Sequence, residues 1–314
     1  MSYGAPDRVP CFEEGIREGV LDTWRKQGLR ADMSLSQLFH FDRREEIVVD
    51  LDPRPKLEKY PSSRSELDTF RQRLDPFDQG RIPKDWTERV HAWRNRDHVL
   101  MLRIHRGFFL TMGVQDWRRF REVIYLLSDD PVFIREAMTI QGEFAAKLTE
   151  LLLKHVEIDA AVFGEPIGGN DRPLISPKMY EEFVLTSYEP ILSVLRQYKV
   201  ETIILLTYAN TRALIPSIMK YGFNCLWAGE VNQETMDYRN IRREFGRDLR
   251  LIGGIDLDVL RSDRESIRRE IEKKVPSLIA DGGYVPLADG RVRTDVPFQN
   301  YVYYRQLLEK AAQR

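Results

Sequence analysis

The sequence predicts an α/β chain: one (β/α)8 TIM barrel spanning residues 1–314, with an N-terminal extension and a long excursion around residues 50–97. Three observations predict it. Short apolar runs alternate with amphipathic stretches from residue 98 onward, the pattern of parallel strands joined by helices. Helix start signals fall just where each amphipathic stretch begins. A length of 314 residues suits one such barrel and buries a large core without disulfides.

The apolar runs are Val99–Ile104, Ala160–Gly164, Thr202–Leu206, Phe223–Trp227, Leu249–Ile252 and Tyr284–Leu287. Two earlier strands, near Val9 and over Ile47–Leu51, bring the expected total to eight; an open doubly wound sheet is the alternative. Asp130 before Pro131 places an acid at a cap and proline at the first helical position, and the apolar pattern continues to His155. Ser176-Pro177 repeats the device ahead of a helix over Tyr180–Tyr198. Gly222 and Gly246 stand where helices end. Asp256 is expected to cap the helix ending near Lys274. Tyr301, Tyr303, Tyr304 and Phe298 predict a packing helix, and Arg242-Arg243 and Arg268-Arg269 predict solvated helix faces. The excursion differs in composition. Pro53, Pro55, Pro61, Pro76 and Pro83 interrupt it, charges are frequent, and only Ser65–Arg73 reads as helical. A lid and a plain surface loop both fit it.

Composition narrows the function. Forty-eight basic residues balance 49 acidic ones, which argues against nucleic acid or a membrane surface as partner. Cys11 and Cys225 are the two cysteines, so the expected setting is a reducing cytoplasm, and soft-metal sites are restricted. The opening residues lack an apolar signal core and no stretch is apolar enough to span a bilayer. Nucleotide, phosphate-loop, paired-cysteine, zinc-protease and serine-hydrolase motifs are missing.

In a barrel of this kind the reactive groups stand at the strand C-termini. There the sequence places Arg103, His105 and Arg106, then Glu165, then Tyr208 and Asn210, then Glu230, Asp256, and finally Asp289, Arg291 and Arg293. Arginines beside acids suit an anionic, carboxylated small molecule, since guanidinium grips carboxylate bidentately and an acid can move a proton. The competing expectation is that these charges tie to one another. Asp256 reads equally as a helix cap, and His105 as a buried structural histidine. Gly253-Gly254 is a weak candidate for close phosphate approach. Cys225, inside a strand, is expected to be a buried thiol.

Several segments resemble one family. Val9-Pro10 with Phe12-Glu13-Glu14-Gly15 and Trp24–Leu29, then Arg106-Gly107-Phe108-Phe109 and Asp129-Asp130-Pro131, resemble its opening half. Asp159–Glu165 and Leu174–Phe183 resemble its strand followed by a Ser-Pro-capped helix; Gly253–Asp256 and Gly282–Pro286 complete the order. The chain resembles the uroporphyrinogen decarboxylase superfamily, its decarboxylase-like and corrinoid-methyltransferase-related branch. The resemblance implies a barrel, homodimers, and one of two chemistries: cofactor-free decarboxylation of a tetrapyrrole side chain, or methyl transfer from a corrinoid supplied by a partner protein. Neither pattern is intact. The arginine-rich and aspartate-bearing segments of the decarboxylases are missing. The zinc-binding His-x-Cys of the methyltransferases is replaced by Thr207-Tyr208-Ala209, and the Asp-His after the last strand by Asp289-Gly290.

The reading is therefore a lyase of the decarboxylase type, without metal or cofactor. Glu165, Tyr208 and Asp289 are its catalytic candidates. Arg103, His105, Arg106, Asn210, Glu230, Asp256, Arg291 and Arg293 hold the substrate. Methyl transfer and a non-catalytic, ligand-binding barrel are the alternatives; under methyl transfer the four acids Glu165, Glu230, Asp256 and Asp289 offer an oxygen-rich site to a harder metal.

Overall fold

The computed structural model describes residue 3, residues 8–231 and residues 233–312; most of the tract before Arg8 lies outside them. The chain forms two compact units, one of Arg44–Thr207 with Thr211–Phe223, the other of Met1–Arg43 with Tyr208–Asn210 and Asn224–Arg314.

In the unit opening at Arg44, strands β1 (Arg44–Val48), β2 (Val99–His105), β3 (Ala160–Glu165) and β4 (Thr202–Tyr208) lie side by side in sequence order, all parallel. Every residue of β3 is buried, as expected for a strand covered on both faces. Asp130 accepts the Phe133 N–H at 3.1 Å and starts the helix Pro131–Leu153, two residues shorter than the apolar pattern. Gly142 of that helix lies against the Ser187 carbonyl, which an added Cβ would meet at 2.0 Å, so the helix seats closely on Thr186–Gln197.

Ser176 caps its helix as predicted, accepting the Met179 N–H at 3.2 Å. The single helix expected over Tyr180–Tyr198 is instead α-helical at Pro177–Met179, π-helical at Tyr180–Leu185 and α-helical again at Thr186–Gln197. The wider turn buries Tyr180, Phe183, Val184 and Leu185 together, more of the ring than an α-helical stripe would cover.

The excursion is a structured layer rather than a free loop. It carries a 3-10 turn at Arg64–Glu66, the expected helix as Leu67–Gln72, and a further helix at Trp86–Trp93. Buried Arg81 fastens it by donating to the carbonyls of Asp75 (2.6 Å), Asp50 (3.0 Å), Asp52 (2.8 Å) and Arg73 (2.9 Å), with its guanidinium 4.5 Å over the Phe144 ring.

In the other unit β5 (Cys225–Gly229), β6 (Arg250–Gly253) and β7 (Tyr284–Val285) are again parallel neighbours in sequence order. Seven strands stand among the described residues, one fewer than predicted. The segment at Val9 forms no strand of its own among the described residues: Arg8 carries a single bridge, the Val9 N–H donates to the Ala312 carbonyl at 3.4 Å, Pro10 has no N–H to donate, and Asp42 takes the Cys11 N–H at 2.7 Å. Asp256 caps only the 3-10 turn Leu257–Arg261. Asp263 caps the long helix Arg264–Asp281, accepting from Ser266 at 2.7 Å, and that helix runs past Lys274. Phe298, Tyr301 and Tyr304 are core residues of the helix Phe298–Ala312, as expected. Arg242 is not solvated: four residues after buried Tyr238, its guanidinium donates to the carbonyls of Gly246, Gly282 and Gly283 at 3.0–3.2 Å. No described helix is long and apolar enough to cross a membrane.

Candidate functional site

At the strand ends of the first unit the central group is Glu165, the last residue of β3. Its carboxylate is fully buried; Oε1 accepts the Phe108 N–H at 2.9 Å and Oε2 accepts the Tyr188 hydroxyl at 2.6 Å. Burial pushes its pKa up to about 7 against the pull of those donors. Gly107 makes the approach of Phe108 possible. Its φ is +95°, and a Cβ there would meet the Gly164 carbonyl at 2.7 Å and Glu165 Oε1 at 2.8 Å. Thr207 closes the arrangement from β4, donating to the Glu165 carbonyl at 2.8 Å.

His105, at the end of β2, is fully buried too. Nδ1 accepts the Gly107 N–H at 2.9 Å, and its ring lies 4.4 Å from that of Tyr188. Burial lowers its pKa to about 3, so the ring is neutral with its proton on Nε2. That is the structural histidine of the sequence reading. The two arginines beside it are committed to acids. Arg103 grips both oxygens of Glu46 at 2.7 and 3.3 Å; Arg106 pairs with Asp52 and donates to the Leu110 carbonyl at 3.2 Å.

The second unit gathers the other candidates. Asp289 is almost wholly buried. Oδ1 accepts the Leu257 N–H at 2.8 Å, and Oδ2 accepts the Val231 N–H at 3.1 Å and the Gln233 amide at 3.0 Å. Burial still dominates and raises its pKa to about 7. The strand ends are stitched around it by main chain: Ala209 N–H donates to Gly229 at 3.0 Å, Glu230 N–H to Asp289, and Asp289 N–H to Ile255 at 2.9 Å. Two links in that chain are strained. Ala209 and Glu230 have φ of 55° and 49°, a left-handed conformation that costs a side-chain-bearing residue about 1 kcal/mol or more.

Tyr208 is 39% exposed and rests beside Gly229, whose missing Cβ leaves room for the ring. Asn210 next to it is buried. Glu230 pairs with Arg17, and Arg293 reaches Asp258 at 3.3 Å and Glu230 at 3.8 Å. Arg291 alone of the four arginine candidates is exposed and engages no acid among the described residues. Asp256 is half-buried and serves as a cap, accepting the Asp258 N–H at 2.9 Å. The Gly253-Gly254 corner offers no room to a phosphate: a Cβ on Gly254 would meet the Tyr238 ring at 2.6 Å, and the Tyr238 hydroxyl accepts from Ala228 N–H and donates to the Ile252 carbonyl.

Residues 171–300 match the family described as uroporphyrinogen decarboxylase (URO-D). That segment is less than half of the chain, and over it the chain resembles the URO-D family. No curated protein matches it. Among solved structures it is similar to a methyltransferase from Methanosarcina mazei, with a TM-score of 0.61 and 13% identity over 98% of this chain and 95% of that one. At that identity the likeness speaks for the fold.

The zinc of the superfamily's methyltransferases does not fit the donors at the end of β4. Thr207 has its hydroxyl turned to the Glu165 carbonyl, and Ala209 has nothing to offer. Neither cysteine compensates: Cys225 is fully buried with its thiol pushed up to about 12, and Cys11 accepts from buried Arg305 at 2.9 Å. Among the described residues no three His, Cys, Asp or Glu side chains gather as a metal site, so the four acids proposed for a hard metal are not assembled into one.

Sequence reasoning missed the partners of these groups. Tyr188 and Tyr180, which sit against Glu165, lie in a segment legible only as helix. Glu14, which accepts the Trp227 indole N–H at 2.8 Å, and Arg17, which pairs with Glu230, come from the N-terminal extension. Their signal was the run of acids in Phe12-Glu13-Glu14-Gly15, noted for resemblance and not for position.

Proposed function

We propose that this URO-D-like chain is a cofactor-independent decarboxylase of a small carboxylated molecule, in the tetrapyrrole class that the family description names. The reading takes the chain as one closed (β/α)8 barrel forming a single domain; the alternation of strands and helices and the full-length likeness to a solved structure support it. The observation that carries the chemistry is Asp289, a carboxyl kept partly protonated at neutral pH, two residues along the chain from Arg291, the one of the four candidate arginines that engages no acid among the described residues.

Arg291 holds the substrate carboxylate; Arg293 joins it when drawn from Glu230. The bond from carbon to carboxylate breaks, CO2 leaves, and the electron pair stays on the substrate carbon. Asp289 delivers its proton there and recovers one from solvent. Tyr208 donates a hydrogen bond to the bound molecule.

The test is turnover of uroporphyrinogen, followed by CO2 release and product mass. Asp289→Asn is expected to lower kcat by about 100-fold, as loss of a general acid does. Arg291→Ala is expected to raise KM by about tenfold, the loss of one charge-assisted contact. For the native protein kcat falls as pH rises through about 7, where Asp289 loses its proton. Full activity in Asp289→Asn would remove the assignment.

The methyltransferase among the similar structures supports a second reading, methyl transfer from a corrinoid carried by a partner protein. Titration with a porphyrin and with a corrinoid separates the two. Saturable porphyrin binding alone favours decarboxylation, corrinoid binding favours methyl transfer, and binding of neither favours a barrel that serves another ligand.

A further inference from the structure

The excursion and the start of the helix Trp117–Asp129 enclose a cleft of about 580 Å³ within the first unit. Its floor is built. Tyr60 lies flat on Gly113, where an added Cβ would fall 2.1 Å from the ring, and Gly113 has a φ of +77° that suits glycine. Beneath it buried Arg119 fixes both walls, donating to the carbonyls of Met112 at 2.9 Å and Pro61 at 2.7 Å and to the Ser62 hydroxyl at 2.9 Å.

The rim is cationic. Lys56, Lys59 and Arg118 are exposed around the opening, and none of them makes an ion pair among the described residues. Of the lining acids, Asp116 accepts the Arg119 N–H at 2.8 Å, and Glu122 is taken by the Ser62 hydroxyl and by Arg119 at 3.1 Å. Glu58 lines the cleft too, and Lys59 is near enough to Glu66 and Glu122 to favour their ionised forms, so the three cations are offset in part. Volume and lining match a small-molecule site rather than a protein contact, since the charges surround a concavity of drug-sized dimensions.

We propose that this cleft binds a small organic phosphate, its phosphate groups held by Lys56, Lys59 and Arg118 and its planar or apolar part lying on Tyr60. Lysines serve as point charges for phosphate and arginine adds a fork of donors. The site is independent of the decarboxylase reading, because none of its residues belongs to that machinery.

Isothermal titration with pyrophosphate, adenosine diphosphate and citrate, on the full chain, tests it. Both phosphates are expected to bind saturably, at about millimolar or tighter. Combined Lys56→Gln, Lys59→Gln and Arg118→Gln should weaken both by at least about tenfold, as three lost charge contacts require. Tyr60→Leu should weaken adenosine diphosphate and spare pyrophosphate. Lys56, Lys59 and Arg118 are exposed, so circular dichroism of the triple variant should be unchanged. Absence of phosphate binding, or binding equal in the triple variant, overturns the site; citrate binding tighter than either phosphate overturns the ligand class.

Discussion

Glu165→Gln should reverse the order of stability between variant and native protein as pH rises. The carboxyl ordinarily titrates at 4.5 and in the fold at about 7. Between those values the folded state holds more proton than the unfolded state, so native stability falls as pH rises through this window and levels off above it. The gap corresponds to roughly 3 kcal/mol in full, most of it lost between about pH 5 and 8. Glutamine keeps an oxygen to accept the Phe108 N–H at 2.9 Å but cannot accept the Tyr188 hydroxyl through its amide nitrogen, a pH-independent cost of about 1 kcal/mol. Near parity at pH 5 should therefore become an advantage of about 2 kcal/mol for the variant at pH 8. Asp289 shifts in the same direction, but it is common to both proteins and cancels in the difference. Urea midpoints measured from pH 5 to 8.5 read that difference directly. A difference that stays constant with pH, or a native protein that gains on the variant as pH rises, would refute the assignment of a raised carboxyl at this position.

Arg305→Met removes the partner of buried Glu13, which accepts the guanidinium at 2.8 Å and the Tyr304 hydroxyl at 2.7 Å; thermal and urea denaturation should show a loss of about 3–5 kcal/mol, largely recovered in the double variant with Glu13→Gln. Recovery of nothing would mean that the packing of the guanidinium on Phe41, at 4.5 Å, carries the effect. Gly107→Ala forces a side chain against Glu165 Oε1 and the Gly164 carbonyl at positive φ, and should cost at least about 2 kcal/mol; a loss under 1 kcal/mol would show that the loop after β2 yields easily. Ala209→Gly relieves a left-handed backbone, and the urea midpoint should rise by the equivalent of up to about 1 kcal/mol while turnover falls; destabilisation would show that the conformation is not strained.

Strands and caps were legible because each depends on a few neighbouring residues. Asp130 and Ser176 cap as their sequences require, and β2 to β7 begin within three residues of their apolar runs. The failures share a cause of another kind. Val9 looked like a strand by composition, yet a strand needs a continuous partner edge; after the single bridge at Arg8, Pro10 has no N–H and Asp42 takes the Cys11 N–H. Arg242 looked solvated because charge predicts exposure; two carbonyls from a distant glycine turn, Gly282 and Gly283, with that of nearby Gly246, reverse that. The π-helical turn at Tyr180–Leu185 has no signal in the Ser-Pro cap or the apolar spacing.

The candidate site divides along the same line. That acids and arginines would crowd the strand ends was readable from position, but which remain available was not, because availability is decided by pairs. Arg103 and Arg106 are joined to Glu46 and Asp52, both supplied by the tract around β1, where the sequence offered only a charged excursion. Arg17 reaches Glu230 across more than two hundred residues. What survives is set by exclusion: Arg291, which engages no acid among the described residues, and two residues earlier in the chain an aspartate whose three donors do not outweigh its burial. Thr207 and Gly290 stand where the resemblance implies zinc ligands, and neither can bind zinc. Under the proposed decarboxylation, which works by proton and anion chemistry, loss-of-function variants should fall at Asp289 and Arg291.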